Sequence, residues 1–374
     1  MSLLHWVNDA LLTIFFLVVG LEIKREFTVG HLSARRTAML PIAAALGGML
    51  LPALLYLICI PHGPWSAGWG VPMATDTAFS VAVIAMMGAR VPVDLRIFLT
   101  AAAIVDDIGS IVVGAVFYSG EVHYGYLAAA AATIVILALM NRAGIYRVTP
   151  YILTGVVLWT CVYASGLHAT LAGIVLAALI PTRPPPDFKT LAYQADAILT
   201  TEAQRGREHF HRGPSTSALE ALDAIHDRLE SPADHMLRSV APRSSYVVLP
   251  IFALANAGVT FSTNVFSHHS MLLLAILSGL VIGKPLGFIL ASVTAVRLGF
   301  ASKPKSYTWR QLCGASALAG IGFTMSLFIA GQVFPGTGDF AVAKIAVFAA
   351  SVISSVIGVA VLWGARVRAP GQGG

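Results

Sequence analysis

Residues 97–118 read Ile-Phe-Leu-Thr-Ala-Ala-Ala-Ile-Val-Asp-Asp-Ile-Gly-Ser-Ile-Val-Val-Gly-Ala-Val-Phe-Tyr. Apart from Asp106 and Asp107, every residue of this stretch is apolar or uncharged. About 20 such residues in a helix cross the roughly 30 Å hydrocarbon core of a bilayer. The stretch therefore predicts a transmembrane helix with two adjacent carboxylates near its middle.

The composition of the whole chain agrees with this local prediction. Of its 374 residues, 57% are hydrophobic and 11% are charged, and the mean hydropathy is +0.78, whereas a typical soluble domain is about a quarter charged. We therefore predict an all-α integral membrane protein. It has about eleven transmembrane helices, at residues 9–28, 37–60, 71–88, 94–118, 122–141, 147–164, 167–181, 245–261, 270–296, 308–334 and 341–364.

The basic residues predict the orientation, because cytoplasmic loops of membrane proteins are rich in Lys and Arg. The chain has 24 Lys and Arg residues, and all but Lys284 and Lys344 lie on alternate connections. This pattern predicts a cytoplasmic C-terminus and, with an odd number of spans, an N-terminus on the outer side. We therefore expect either that another protein or helix covers that flank or that the chain is truncated. The pattern also explains the pI of about 9.3 without a nucleic-acid partner, which would need basic residues on one soluble face.

One polar segment interrupts the apolar pattern. We predict a single transmembrane transporter domain over residues 1–374, with residues 182–243 as a cytoplasmic loop insertion. Within it, residues 188–202 and 217–230 have the apolar spacing of helices. Such helices can lie on the membrane surface or form marginally in a solvated loop, and the sequence leaves both interpretations open.

Four ionisable residues are predicted at membrane depth: Asp76, Asp106, Asp107 and Lys284. Each costs about 3 kcal/mol on insertion scales, so such residues are functional by default. Successive helix positions differ by about 100°, so Asp106 and Asp107 face different neighbours, and one can pair with Lys284 while the other faces a water-filled cavity. A carboxylate that can hold either a proton or a cation has the chemistry of an exchanger.

The carboxylates also indicate which cation is bound. Oxygen ligands suit a hard cation such as sodium, whereas zinc and copper prefer Cys and His. We therefore predict that Asp106 and Asp107 bind sodium, with no cofactor beyond the transported ions.

Two of the predicted spans are interrupted. Pro72 and Thr75 interrupt the third span beside Asp76, and the tenth is interrupted by residues 319–325, which include Gly320, Gly322 and Thr324. Two broken helices in corresponding halves of a chain indicate inverted-topology repeats with a site at the membrane midplane. Close helix packing is the alternative explanation for the glycines. Asp76 and Lys284 have the charges that would compensate the ends of the half-helices.

Several motifs resemble those of the NhaA family of sodium/proton antiporters, over nearly the whole chain. They are Trp-Val-Asn-Asp at 6–9, Phe-Phe-Leu-Val-Val-Gly-Leu-Glu-Ile-Lys-Arg-Glu at 15–26, Ala-Thr-Asp-Thr-Ala-Phe at 74–79, Asp-Asp-Ile-Gly at 106–109, Gly-Leu-His-Ala-Thr-Leu-Ala-Gly at 166–173, Leu-Pro-Ile-Phe-Ala-Leu-Ala-Asn-Ala-Gly at 249–258, Gly-Lys-Pro-Leu-Gly at 283–287 and Gly-Ile-Gly-Phe-Thr-Met-Ser at 320–326. The resemblance implies alternating access, with sodium or lithium extruded in exchange for two protons. It also implies a role in pH homeostasis in the bacterial cytoplasmic (inner) membrane.

The resemblance also implies roles for individual residues. Asp107 would be the main sodium and proton carboxylate, and Asp106 a second carboxylate paired with Lys284. Thr75 and Asp76 would lie beside the site on the broken helix. Family accounts differ on whether Asp106 or Lys284 carries the second proton. A pH response is implied for Glu22, Arg25, Glu26 and His168, although His168 also fits a packed histidine at a helix start.

The chain departs from the family in two places. Family members have a further N-terminal helix, followed by a hairpin that contributes to their dimer, so a homodimer is left open here and is not favoured. Residues 183–243 replace a shorter basic connection that bears histidines, so no pH sensor can be assigned there by resemblance.

Three other functions are compatible with intramembrane acids. A passive cation channel usually repeats a pore-lining ring around an axis, and we find no such segment in the sequence. An intramembrane aspartyl enzyme needs two acids that share a proton, which neighbours facing apart cannot do, so we predict that the chain is not an enzyme. An organic-anion symporter of related fold would couple sodium to a co-substrate rather than to protons.

Overall fold

The computed structural model describes residues 6–28, 35–118, 123–182, 188–208, 215–256, 258, 269–335 and 338–365. All regular secondary structure in those ranges is helical, so the prediction of an all-α protein is confirmed. Each predicted span overlaps at least one helix. The α-helices are α1 (Leu12–Thr28), α2 (Arg35–Cys59), α3 (Thr77–Met86), α4 (Val93–Phe117), α5 (Tyr124–Arg142), α6 (Val148–Ala164), α7 (Thr170–Leu179), α8 (Phe188–Glu208), α9 (Thr216–Leu229), α10 (Pro232–Arg243), α11 (Leu249–Asn256), α12 (Ser270–Ser278), α13 (Lys284–Arg297), α14 (Trp309–Leu318), α15 (Phe323–Val333) and α16 (Gly338–Trp363).

Among the described residues, six helical segments are long and apolar enough to cross a membrane, or up to seven if one bent pair counts as a single span. This supports a multi-pass membrane protein. The number is lower than the predicted eleven for three reasons. The helices α6 and α7 are apolar but short, α1 carries several charged residues towards its end, and α11 is described only over Leu249–Asn256.

The chain divides into two compact units. One comprises Met1–Leu12, Glu26–Glu121 and Val247–Gly374, and the other comprises Thr13–Arg25 and Val122–Tyr246. In the second unit, α5, α6 and α7 share a core that includes the buried residues Leu137, Leu158 and Leu176. The single transporter domain remains a prediction.

In the first unit, the backbones of α2 and α13 are in direct contact. A Cβ atom on Gly47 would lie 2.4 Å from the Cβ atom of Ala291 and 2.4 Å from the carbonyl oxygen of Gly287. Small residues allow this close approach between membrane helices. Because Gly287 follows Lys284 by less than one turn, the contact fixes the segment that carries Lys284 against α2.

Gly47→Ala is therefore expected to lower the thermal stability of the purified protein in detergent. The added methyl group must displace α13, at a cost of about 1–3 kcal/mol. Gly125→Ala in α5 is the matched control, because no heavy atom of the described residues lies within 4 Å of a Cβ placed there. Unfolding of both variants at the wild-type temperature would contradict the backbone contact.

Both predicted helix interruptions are present. The first half of the third span is a 3₁₀ helix, Ser66–Met73, which ends at the extended residue Ala74, and α3 begins only at Thr77. Pro72 lacks the N–H group that a continuing helix needs. In the tenth span, α14 and α15 are separated by a short break and bent by 45°.

The predicted insertion is mostly helical. The two predicted stretches correspond to α8 and α9, and α8 extends further than predicted. The third helix, α10, was not predicted, although its start has clear signals. Ser231 caps it by accepting a hydrogen bond from the N–H of Asp234, and Pro232 occupies the first turn, where proline is favoured.

Candidate ion-binding site

The two helix interruptions lie side by side. The N–H of Asp76 donates to the carbonyl oxygen of Ile321 at 2.6 Å, and Thr75 Oγ1 donates to that of Ala319 at 2.9 Å. Ser80 Oγ donates to the carbonyl oxygen of Leu318 at 2.9 Å. The last carbonyls of a helix have no partner within it, so residues of one broken span satisfy the backbone at the break in the other.

Asp76 caps two helices with one buried carboxylate. Its Oδ1 atom accepts a hydrogen bond from the N–H of Phe79 at 3.0 Å, at the start of α3. Its Oδ2 atom accepts one from the N–H of Thr324 at 2.9 Å, at the start of α15, and another from the Thr324 hydroxyl. Because helix N-termini carry partial positive charge, Asp76 compensates both half-helix ends, as its sign predicted.

Thr324→Val is expected to destabilise the protein by about 1.5–3 kcal/mol, because it removes a hydrogen bond to a buried charged group at nearly constant side-chain volume. Thr324→Ser keeps the hydroxyl and is the matched control. Thermal unfolding in detergent measures both. Equal stabilities of the two variants would show that the hydroxyl contributes little to the Asp76 cap.

Asp106 and Lys284 form a buried ion pair. Lys284 Nζ lies 2.7 Å from Asp106 Oδ2, and both side chains have no exposed surface. The same oxygen accepts a hydrogen bond from the N–H of Thr75 at 2.9 Å, and Lys284 Nζ also donates to the carbonyl oxygen of Met73. The pair implied by the family resemblance is thus present. Its additional hydrogen bonds offset part of the cost of burying two charges.

Asp107 has a different partner from Asp106, as the separation of successive helix positions predicted. Its Oδ2 atom accepts a hydrogen bond of 2.7 Å from Thr77 Oγ1, and the residue is only 3% exposed. The Oδ1 atoms of Asp106 and Asp107 are both buried and accept no hydrogen bond from the residues that the structure describes. The two acids share no hydrogen bond of the kind that joins the acids of an aspartyl enzyme.

Sequence reasoning missed Thr77. It is a hydroxyl residue next to the predicted Asp76, and only the start of α3 at this position brings it to Asp107.

The glycines at the second break have a packing role. A Cβ atom on Gly320 would lie 2.6 Å from the carbonyl oxygen of Leu280, and one on Gly322 would lie 2.2 Å from Ser326 Oγ. Neither position can hold a larger residue without moving its neighbours. These contacts support the packing interpretation of the two glycines.

Four residues have an implied pH response. Glu22, Arg25 and His168 belong to the second compact unit and Glu26 to the first. Arg25 Nε lies 3.5 Å from Asp234 Oδ1 of α10, with both side chains more than a third exposed. His168 lies two residues before the start of α7. A pH response at these four positions remains a prediction.

The site lacks the ligand set of a resident transition metal. In the described ranges, no group of three or more His, Cys, Asp or Glu residues could hold a metal ion. The free carboxylate oxygens of Asp106 and Asp107 nevertheless fit a hard cation, which prefers oxygen ligands. Such a cation would be cargo, and neutral hydroxyl or carbonyl oxygens would have to complete its coordination.

Comparisons with known proteins agree with the family resemblance of the motifs. Residues 1–362 match the family model described as Na+/H+ antiporter 1. The chain is 67% identical over 380 residues to the Na(+)/H(+) antiporter NhaA of Nitrosospira multiformis, an alignment that covers 98% of this chain and 61% of that protein. It is 40% identical over 368 residues to the Na(+)/H(+) antiporter NhaA of Helicobacter pylori strain G27, with 96% of this chain and 82% of that protein covered.

A third relative, the Na(+)/H(+) antiporter NhaA of Syntrophobacter fumaroxidans, is 40% identical over 377 residues, with 99% of this chain and 80% of that protein covered. The chain thus spans about three fifths of the length of the Nitrosospira protein and about four fifths of the other two. The range matched by the family model includes both broken helices and the buried acids. This chain therefore belongs to the NhaA family of Na+/H+ antiporters.

Proposed function

We propose that this chain is an electrogenic antiporter that extrudes sodium or lithium in exchange for protons. The observation that carries the proposal is the state of Asp107. This buried carboxylate is held by Thr77 through one oxygen, while its other oxygen accepts no hydrogen bond from the described residues. The adjacent Asp106–Lys284 pair and the membership of the NhaA family support the same function.

The proposed exchange follows from the cost of charge in the membrane. An ionised carboxylate without a partner is expensive at membrane depth, so Asp107 changes sides carrying either a proton or a cation. Competition between the two ions for one carboxylate then couples their movements in opposite directions. Alternating access around the two broken helices would expose the site to one side of the membrane at a time.

The Asp106–Lys284 pair supplies the second charge of the cycle. A cation that binds to both carboxylates weakens the ion pair between Asp106 and Lys284. Cation binding is therefore accompanied by loss of a second proton from the pair. Two protons exchanged for one sodium move one net charge. That charge is worth about 2.3 kcal/mol per 100 mV of membrane potential.

We further propose that the protein lies in the bacterial cytoplasmic membrane with a cytoplasmic C-terminus, and that it contributes to pH homeostasis. The alternation of basic and non-basic connections supports this orientation. A cysteine placed at the C-terminus would react with an impermeant thiol reagent only from the cytoplasmic side. Reaction from the outer side would reverse the proposed topology.

The function is tested with the purified protein in proteoliposomes that carry an imposed proton gradient. Sodium or lithium should collapse the gradient, potassium and choline should not, and a membrane potential of the appropriate sign should speed the collapse. Sodium movement without proton movement would indicate a channel, and dependence on an organic anion would indicate a symporter. The absence of any cation-dependent collapse by correctly inserted protein would refute the proposal.

A further inference from the structure

Ser110, on α4 just beyond the two carboxylates, has a buried hydroxyl with no assigned role. The residue is 5% exposed, and its Oγ atom has no hydrogen-bond partner among the described residues. Serine and threonine inside a helix commonly donate to the carbonyl one turn earlier. Thr133 and Ser351 do so here, at 2.9 Å and 2.8 Å. The Ser110 hydroxyl is not used in this way.

Three unpartnered buried oxygens lie within little more than one turn of α4. They are Oδ1 of Asp106, Oδ1 of Asp107 and Oγ of Ser110. Residues three and four positions apart on a helix are neighbours, with Cβ atoms about 5–6 Å apart. Ser110 follows Asp107 by three positions and Asp106 by four. Because native proteins leave few buried polar atoms unpaired, such a group calls for a specific explanation.

Neighbouring contacts show what this face of α4 packs against. Asp106 accepts a hydrogen bond from the N–H of Thr75, and further along the helix the Phe117 ring lies 5.2 Å from that of Trp69. Ser110 lies between these two contacts and on the same face as Asp106. This face therefore follows the 3₁₀ helix Ser66–Met73 and the break at its end.

There is space next to Ser110 on the side away from the carboxylates. Gly114, one turn further on, is buried, yet no heavy atom of the described residues lies within 4 Å of a Cβ placed on it. A buried glycine in a close helix contact would show the opposite, as Gly287 does. The Ser110 hydroxyl thus lies between the carboxylates and a position on α4 where the described residues leave room for an added atom.

We propose that Ser110 is a third oxygen ligand of the transported cation, on the Gly114 side of Asp106 and Asp107. The inference rests on the proposed antiport and deepens it by adding a neutral ligand to the cation site. A hydroxyl oxygen suits sodium and lithium, which are hard cations. Because the basic residues Arg90 and Arg96 precede the carboxylates on the cytoplasmic side, the Ser110 end of the site faces outward.

The test compares Ser110→Ala with Ser110→Thr in proteoliposomes. Loss of the hydroxyl is expected to raise the apparent KM for sodium and lithium about tenfold, in line with the loss of one interaction with a charged group, while the maximal rate stays near that of the wild type. Ser110→Thr keeps the hydroxyl and should restore most of the affinity. Ser292→Ala is the matched control, because Ser292 on α13 is also buried and its hydroxyl has no hydrogen-bond partner in the described part of the chain.

Cation binding is measured in parallel as proton release from the purified protein in detergent when sodium is added. If the wild type and Ser292→Ala release protons at low sodium and Ser110→Ala needs about tenfold more, the proposal is supported. If Ser110→Ala responds at the wild-type sodium concentration, the inference is overturned while the antiport proposal stands. A wild type that releases no protons and exchanges no cations would overturn both.

Discussion

Asp107→Asn is expected to abolish sodium- and lithium-dependent proton movement while the protein remains folded. Asparagine has the shape of aspartate, but it neither ionises nor releases a proton, so the exchange of one ion for the other is lost. The uncharged amide should leave thermal stability unchanged or raised, because it removes a buried charge whose second oxygen has no partner in the described structure. Collapse of an imposed proton gradient in proteoliposomes and thermal unfolding in detergent measure the two effects.

Asp94→Asn is the matched control for this variant. Asp94 lies at the start of the same helix, is exposed and bonds to Ser306, so its neutralisation should preserve exchange. If sodium or lithium collapsed the proton gradient at the wild-type rate in Asp107→Asn, the exchanging carboxylate would be a different residue. Asp106 would be the next residue to test.

Lys284→Ala is expected to destabilise the protein by about 3–5 kcal/mol, the cost of leaving one partner of a buried ion pair without the other. The Asp106 carboxylate would keep its hydrogen bond from Thr75 but lose its counter-charge. The Met73 carbonyl would lose its donor as well. Thermal or denaturant unfolding in detergent measures the loss, and added Asp106→Asn should recover part of it because coupled residues are not additive.

Lys344→Ala shows what an ordinary lysine contributes in the same protein. Lys344 Nζ donates at 3.0 Å to the carbonyl oxygen of Gly258 in an exposed position, so its loss should cost no more than about 1 kcal/mol. If the two lysine variants were equally stable, the Asp106–Lys284 pair would not be the buried pair that the structure shows.

The main features of the site were predictable because the membrane penalises charge. Asp76, Asp106, Asp107 and Lys284 stand out in apolar stretches, and hydropathy alone locates them at membrane depth. Helix geometry predicted that Asp106 and Asp107 have different partners. The pairing of Asp106 with Lys284 in particular came from the family resemblance, since no spacing rule joins residues so far apart in the chain.

Uncharged polar residues of the site do not stand out in the sequence as the charged residues do. The hydroxyls of Thr77 and Ser110 are cheap to place in a membrane helix, so nothing in the pattern distinguishes them from packing residues. Helix lengths were also difficult to predict, because hydropathy cannot tell a full span from a short apolar helix such as α7. For α10, by contrast, the capping signals were readable, but the polar composition of the segment outweighed them.

The double cap at Asp76 has a consequence for motion. The Asp76 carboxylate accepts hydrogen bonds from the starts of both α3 and α15. If one helix start moved away alone, the buried carboxylate would lose the donors of that helix while it stayed bound to the other. The displacement of lowest energy keeps Asp76 bound to both, which makes the two helix starts a concerted, all-or-none element. A conformational cycle at the two broken helices would then switch between discrete states. States in which only one half-helix has moved would be rarely populated.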